Sequence, residues 1–305
     1  MRNIPVILLM FSLATQLSWA QQDAQYTQYM YNTLQFNPAY AGSRGALSVF
    51  GLHRSQWVGM EDAPTTSNFS IHTPLKNSNL GMGVSILADQ IGPINEQLLS
   101  YDISYTLRLQ ENLKLSFAIR ASAQLMNVQT NRLNPQQAND PLLQNISNDF
   151  SPNIGAGFYL RDKKFYAGLS VPFVLERTRT ISNEEVAVRT EIRSFYAMGG
   201  YVFDLSPSLK FKPALLSKIE MGAPLQVDVS ANFMWFDTFT IGTAYRWDAS
   251  VSLLTAYQIN ERWMIGYAYD VETTALRNHN RGSHELFLRF ELFDSEGKLI
   301  SPRFF

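Results

Sequence analysis

Cysteine is absent from the 305 residues, which removes disulfide frameworks, thiolate metal sites and cysteine nucleophiles together. Charge is scarce as well: 17% of residues are charged, against about 25% in an average soluble domain. What charge there is balances to a net −1, so the chain has neither a basic footprint for nucleic acid nor a charged tail. Beyond residue 20 no uninterrupted apolar run approaches the ~20 residues of a spanning helix. Membrane-crossing helices are excluded there, whereas a closed barrel is not. Aromatic residues are abundant instead, with 20 Phe and 14 Tyr.

Residues 1–20 read MRNIPVILLMFSLATQLSWA, with an arginine at position 2, an apolar stretch from Ile4 to Leu13, and Ser18 and Ala20 at the spacing of a cleavage site. This predicts a secretory signal peptide over 1–20. The mature chain is then expected to start near Gln21, with no lipobox cysteine for a lipid anchor.

From Ser100 to Leu109 the chain alternates without error: Tyr101, Ile103, Tyr105, Leu107 and Leu109 on one face, Ser100, Asp102, Ser104, Thr106 and Arg108 on the other. Only a strand sorts residues this way. The same period runs through Leu113 to Leu125, Leu225 to Trp235, Phe239 to Trp247, Trp263 to Asp270 and Glu285 to Leu292. Fourteen strands are predicted, near 46–57, 64–73, 79–89, 98–109, 113–126, 151–160, 164–172, 193–204, 208–218, 224–236, 238–247, 250–259, 262–271 and 283–292. Most have the ~9–11 residues of a tilted membrane-crossing strand. Connections on one side are five residues or fewer, and the three longest, Asn127 to Phe150, Pro172 to Ile192 and Glu272 to Gly282, fall together on the other. Outer-membrane barrels have this asymmetry, with short turns in the periplasm and long loops outside. Trp57, Tyr101, Trp235, Trp247, Trp263 and Tyr269 lie at or near predicted strand ends, where aromatic girdles form. The expected architecture is all-β: a transmembrane outer-membrane β-barrel of about 14 antiparallel strands over 46–293, with a periplasmic tail over 294–305. The other reading of the alternation is a soluble sandwich or propeller. A propeller would repeat a signature every ~40–50 residues, and no such repeat is present.

Residues that could carry chemistry do not assemble into a motif. His53, His72, His279 and His284 lack the spacing of a metal site. Glu184-Glu185 reads as a solvated loop pair, and Asn139-Asp140 and Asn148-Asp149 lack the spacing of a calcium loop. The glycines of Gly81-Met82-Gly83 and Gly155-Ala156-Gly157 fall inside strands, where bulges or tight internal packing explain them better than phosphate binding. No catalytic residue, cofactor or metal is expected. Asp102, Arg108, Lys114, Arg120, Asp228, Arg246, Asp270, Arg289 and Glu291 fall on the lumen face with mixed sign. They would line an open channel, or pair with one another or with a plug.

Residues 21–45, QQDAQYTQYMYNTLQFNPAYAGSRG, are polar and aromatic, with a turn at Asn37-Pro38 and a flexible Ala41-Gly42. Disordered tails seldom carry Tyr26, Tyr29, Tyr31, Phe36 and Tyr40. The segment is expected to pack in the lumen or against its periplasmic mouth. In this stretch, and in HRSQWVGMEDAPTTSNFSIHTPL (His53 to Leu75), LGMGVSILADQIGP (Leu80 to Pro93), the region from Pro152 to Pro172, and the terminal SPRFF, the chain resembles the PorP/SprF family of type IX secretion outer-membrane proteins. The resemblance implies a non-enzymatic barrel in the outer membrane of a Bacteroidota-type bacterium. Such a barrel supports export or surface attachment of cargo, including large adhesins with a type B C-terminal domain, and gliding motility. It also implies translocon or periplasmic ring components as partners, alongside outer-membrane lipid. The family-motif positions are Tyr29, Asn37, Pro38, Ala39, Tyr40, Ala41, Gly42 and Trp57, structural or partner-binding in role. The competing function is a porin or a transporter of hydrophobic ligands.

Overall fold

A computed structural model describes residues 25–129, 146–181, 186–191 and 193–293. The strands are β1 (Leu47–Ser55), β2 (Thr65–Pro74), β3 (Leu80–Ile91), β4 (Ile94–Arg108), β5 (Lys114–Val128), β6 (Ile146–Arg161), β7 (Phe165–Val171), β8 (Arg177–Ile181), β9 (Val186–Glu191), β10 (Ser194–Tyr201), β11 (Phe203–Ser206), β12 (Leu209–Glu220), β13 (Gln226–Trp235), β14 (Phe239–Arg246), β15 (Ser250–Gln258), β16 (Trp263–Glu272) and β17 (Ser283–Leu292). Every strand of the main sheet pairs antiparallel with its neighbours, and the sheet closes where β1 meets β17, with Leu47 opposite Leu292 and Ser55 opposite His284. β10 and β11 are one strand interrupted at Val202, since both pair with β12, so the ring has 14 strands.

Alternation decides which face meets which solvent. On β4, Tyr101, Ile103 and Tyr105 point outward and are exposed, while Ser100, Asp102 and Ser104 point inward and are buried. Leu286, Leu288 and Leu292 on β17 do the same, opposite the buried Glu285, Arg289 and Glu291. Apolar outside and polar inside is the reverse of a soluble core, and it suits a barrel whose outer face contacts hydrocarbon. Many inward residues are small, Ser70, Ser85, Ser104, Ser170 and Ala268 among them, leaving space along the axis. Residues 25–45 occupy it. Tyr26, Tyr29, Met30, Leu34, Phe36 and Tyr40 form one apolar cluster with the inward-facing Phe50, Leu52, Tyr159, Tyr166, Tyr196 and Phe287.

One end of the barrel carries only short turns: 75–79, 109–113, 162–164, 207–208, 236–238 and 259–262. The other carries the three longest connections, 129–145, 172–193 and 273–282. Several details depart from the sequence reading. β4 begins at Ile94, because the β3–β4 hairpin closes at once through Gly92 (φ 55°), with Ile91 paired to Ile94, and β6 begins at Ile146, paired with Val128 at the end of β5. The polar residues Gln90, Asn95 and Gln97 mask the alternation there, and Tyr101 accordingly sits within a strand. The 172–193 connection contains an unexpected hairpin, β8–β9. Arg108 is exposed and Lys114 half-buried: the register keeps both on the inward face of Asp102 and Arg120, at the rim where β4 turns into β5. The regions 1–20 and 294–305, and the Asn139-Asp140 and Glu184-Glu185 pairs, lie outside the described residues.

Candidate functional site

The internal segment runs the length of the lumen, and each stretch of it meets a different part of the wall. At the short-turn end Arg44 pairs with Glu291, its Nη2 donating to Oε2 at 2.9 Å. Gly42 adopts φ 72°, a conformation glycine tolerates and other residues rarely do. Its amide donates to His72 Nδ1 (3.2 Å), and a Cβ placed on it would lie 2.9 Å from Gly81 Cα and 3.1 Å from Pro74 Cα. A Cβ on Gly81 would collide with the Ala41 carbonyl, which accepts from Ser104 Oγ at 2.7 Å. Two glycines thus let two backbones touch.

The next turn is built on Asn37 and Pro38. Asn37 Oδ1 accepts from the Ala39 amide (3.0 Å), capping a 3₁₀ turn Pro38–Tyr40, and Pro38 supplies the fixed φ for its first position. Asn37 Nδ2 donates to the Phe158 carbonyl (2.9 Å), and the side chain lies over Gly157 and Gly168. The expected tight internal packing of Gly81 and Gly157 is therefore against this segment. Tyr40 meets His72 and Tyr159 edge-on, with ring centroids 5.3 and 5.5 Å away.

A single helical turn, α1 (Thr33–Phe36), leaves its last carbonyls without intrahelical donors. The wall supplies them: Arg120 donates to the carbonyls of Leu34 (2.7 Å) and Gln35 (3.0 Å), and Ser170 to that of Phe36 (2.8 Å). Arg120 is held by both oxygens of Asp102, at 2.7 and 2.9 Å. These two residues face each other across β4 and β5.

Toward the long-connection end the wall becomes ionic. Glu285 accepts the amides of Thr27 (2.9 Å) and Gln28 (2.8 Å), and Thr27 Oγ1 donates to Asp270 at 2.6–2.7 Å. Arg54 joins the group, 2.7 Å from Asp270, 3.1 Å from Glu285 and 3.0 Å from Thr27 Oγ1. Arg246 pairs with Asp228 at 2.6 Å and donates to the Tyr26 carbonyl at 3.1 Å. Gln25 finishes the path by bonding Gln226, the first residue of β13, at 3.2 Å. Beside it a small cleft is lined by Tyr26, Phe36, Tyr196 and Leu216 and by the charged Lys218, Asp228 and Arg246. The Tyr29 phenol reaches Ser230 Oγ at 3.2 Å, and Tyr31 stacks against Phe287 with ring centroids 4.8 Å apart.

Tyr29, Asn37, Pro38, Ala39, Tyr40, Ala41 and Gly42 are thus brought together inside the barrel, all buried. Trp57 is not with them. It lies in the connection after β1 at φ 49°, half-buried, with Nε1 donating to Glu272 at 2.8 Å, turned to the lumen rim rather than to a lipid girdle. Arg54, placed by β1, was not singled out from sequence, nor was Glu285 beyond its place on a polar face. Arg54 shares its strand face with Phe50 and Leu52, so the polar-face signal that marks Arg120 and Arg246 is missing there.

Comparison with known families matches residues 18–290 to one described as "Type IX secretion system membrane protein PorP/SprF". No curated protein matches the chain. Among solved structures it is similar to the monoaromatic hydrocarbon channel TodX in a deltaS2S3 mutant form, with 10% identity, a TM-score of 0.51, and 85% of this chain and 93% of that one covered. It is also similar to the CymD monoaromatic hydrocarbon channel, with 12% identity, TM-score 0.49, and 88% and 94% covered. The Ralstonia pickettii toluene transporter TbuX gives 11% identity, TM-score 0.49, and 87% and 93% covered. The likeness to TodX is one of fold.

Proposed function

Because the chain belongs to the PorP/SprF family of type IX secretion system membrane proteins, we propose that it is a non-enzymatic outer-membrane component of that system, supporting export or surface attachment of cargo such as large adhesins with a type B C-terminal domain. The observation that carries this reading is the filled lumen. Wall arginines and carboxylates are engaged with the internal segment and with one another, leaving the two ends as the surfaces for partners. The end with long connections faces outside and receives the secreted domain, in line with the loop asymmetry of outer-membrane barrels. The short-turn end, from which the tail at 294–305 departs, faces the periplasm and meets translocon or ring components. Outer-membrane lipid covers the apolar belt, and nucleic acid is no partner.

Deleting the gene tests the proposal: cargo is expected to accumulate inside the cell and adhesin to disappear from the surface. Unchanged export and surface retention would overturn it. The channel alternative is tested in planar bilayers. The intact protein is expected to be electrically silent, and a form lacking residues 25–44 to conduct. A steady open conductance from the intact chain would favour a porin.

A further inference from the structure

Facing strands carry opposite charges within the wall and like charges at its short-turn rim. The register sets Asp102 of β4 against Arg120 of β5, and Asp228 of β13 against Arg246 of β14, and both pairs are bonded. Farther toward the turn on β4 and β5, Arg108 faces Lys114, and Lys114 faces Arg161 on β6. The three cations therefore stand in one row on the inward face, across three strands. Like charges directly opposite one another destabilise a sheet, and nothing in the wall offsets them. Among the described residues none of the three has an ion pair or a side-chain hydrogen bond, and Arg161 Nε is buried without a partner. The charges that Lys114 feels are those of Arg161 and Arg108. Asp162, the nearest acid in sequence, takes the Lys163 amide instead, and the exposed Lys163 side chain extends the positive rim. The row leads from the exposed Arg108 through the half-buried Lys114 to Arg161, which lies opposite the buried Tyr166.

We infer that Arg108, Lys114 and Arg161 form a docking site for an acidic peptide segment of a partner protein at the short-turn mouth. Neighbouring strands lie ~4.8 Å apart, so the row spans about 10 Å. That exceeds one small oxyanion and suits the carboxylates of an extended segment, whose same-face side chains recur every ~7 Å. Guanidinium and ammonium groups hold carboxylates by charge-assisted hydrogen bonds. The partner's negative charge also removes the repulsion within the row. That the partner is periplasmic rests on the orientation given above; the site itself does not.

The purified full-length barrel in detergent is titrated against fluorescein-labelled hexaglutamate, with hexaglutamine as the uncharged probe, and anisotropy is read. Hexaglutamate is expected to bind, more weakly as salt rises, and hexaglutamine not to bind. Lys114→Glu should weaken hexaglutamate by about tenfold or more. It should also leave the melting temperature at or above wild type, since the new carboxylate lies between Arg108 and Arg161. Arg108→Gln, at the exposed end of the row, gives a second and smaller loss that does not depend on packing. Arg262→Glu makes the same change of charge in the 259–262 turn and should leave binding nearly unchanged. Equal losses in Lys114→Glu and Arg262→Glu would mean general attraction and overturn the site. So would a wild-type barrel that ignores hexaglutamate, or binding that neither Lys114→Glu nor Arg108→Gln weakens. Inorganic phosphate that displaces hexaglutamate at equal concentration would make the ligand a small ion and overturn the peptide. The assay does not depend on which face meets the periplasm, so its failure leaves the export role, tested by gene deletion, standing.

Discussion

The two ends of the internal segment are held by different physics. Near the long connections Thr27 and Gln28 are gripped by Arg54, Asp270 and Glu285, full charges buried together. Near the short turns Asn37 to Gly42 fit against Gly81, Gly157 and Gly168 by close backbone contact, with a single buried ion pair, Arg44 with Glu291, beyond them among the described residues. Charge tolerates small shifts in position but penalises the loss of any one partner. Shape behaves the opposite way, tolerating the loss of a polar atom but not the addition of a methyl group.

The largest effect is expected at the ionic end. Arg54→Met leaves Asp270 and Glu285 buried without their cation, a loss of about 3–5 kcal/mol. It should lower the temperature at which the barrel loses its heat-modifiable gel migration, and adding Asp270→Asn should recover part of the loss. A wild-type melting temperature for Arg54→Met would show that solvent reaches the cluster. Gly81→Val follows, at up to about 3 kcal/mol, because the obstacle is the Ala41 backbone and not a mobile side chain. Its distinguishing mark is protease cleavage between residues 25 and 45 in a barrel that is still assembled. Protection equal to wild type would mean the segment can shift.

Asn37→Ala removes the cap on Ala39 and the bond to Phe158, worth about 1–2 kcal/mol. Substitution by aspartate keeps an acceptor for the Ala39 amide but sets a buried carboxylate against the Phe158 carbonyl, so it should not restore stability. Tyr29→Phe gives the smallest effect: it removes the phenol's hydrogen bond with Ser230 Oγ (3.2 Å), worth about 1 kcal/mol or less. It should lower the temperature at which heat-modifiable migration is lost only slightly, and a drop as large as that of Arg54→Met would show that the phenol does more than fill space.

The strands were legible because period two is written into each, as in Tyr101 to Leu107 against Ser100 to Arg108. The early starts of β4 and β6 were hidden where the chain carries polar residues on both faces, as at Asn95 to Gln97 and Asn148-Asp149. Aromatic content announced that residues 21–45 pack somewhere, but whether inside the lumen or at its mouth depended on contacts far apart in sequence. Arg120 and Arg246 could be listed as lumen charges. That each also binds a carbonyl of the segment could not be read from spacing, since the partners are 85 and 220 residues away.

That distance has a kinetic meaning. Thr27 meets Glu285 across 258 residues, and β1 meets β17 along the same seam. Neither contact can form until the last strand has been made, and loop closure over such a span is slow. A closed wall packed with arginine and tyrosine would not admit the segment afterwards. Insertion of the segment and closure of the seam are thus one event in the assembly of the barrel, with residues 25–45 as the form around which the wall is drawn shut.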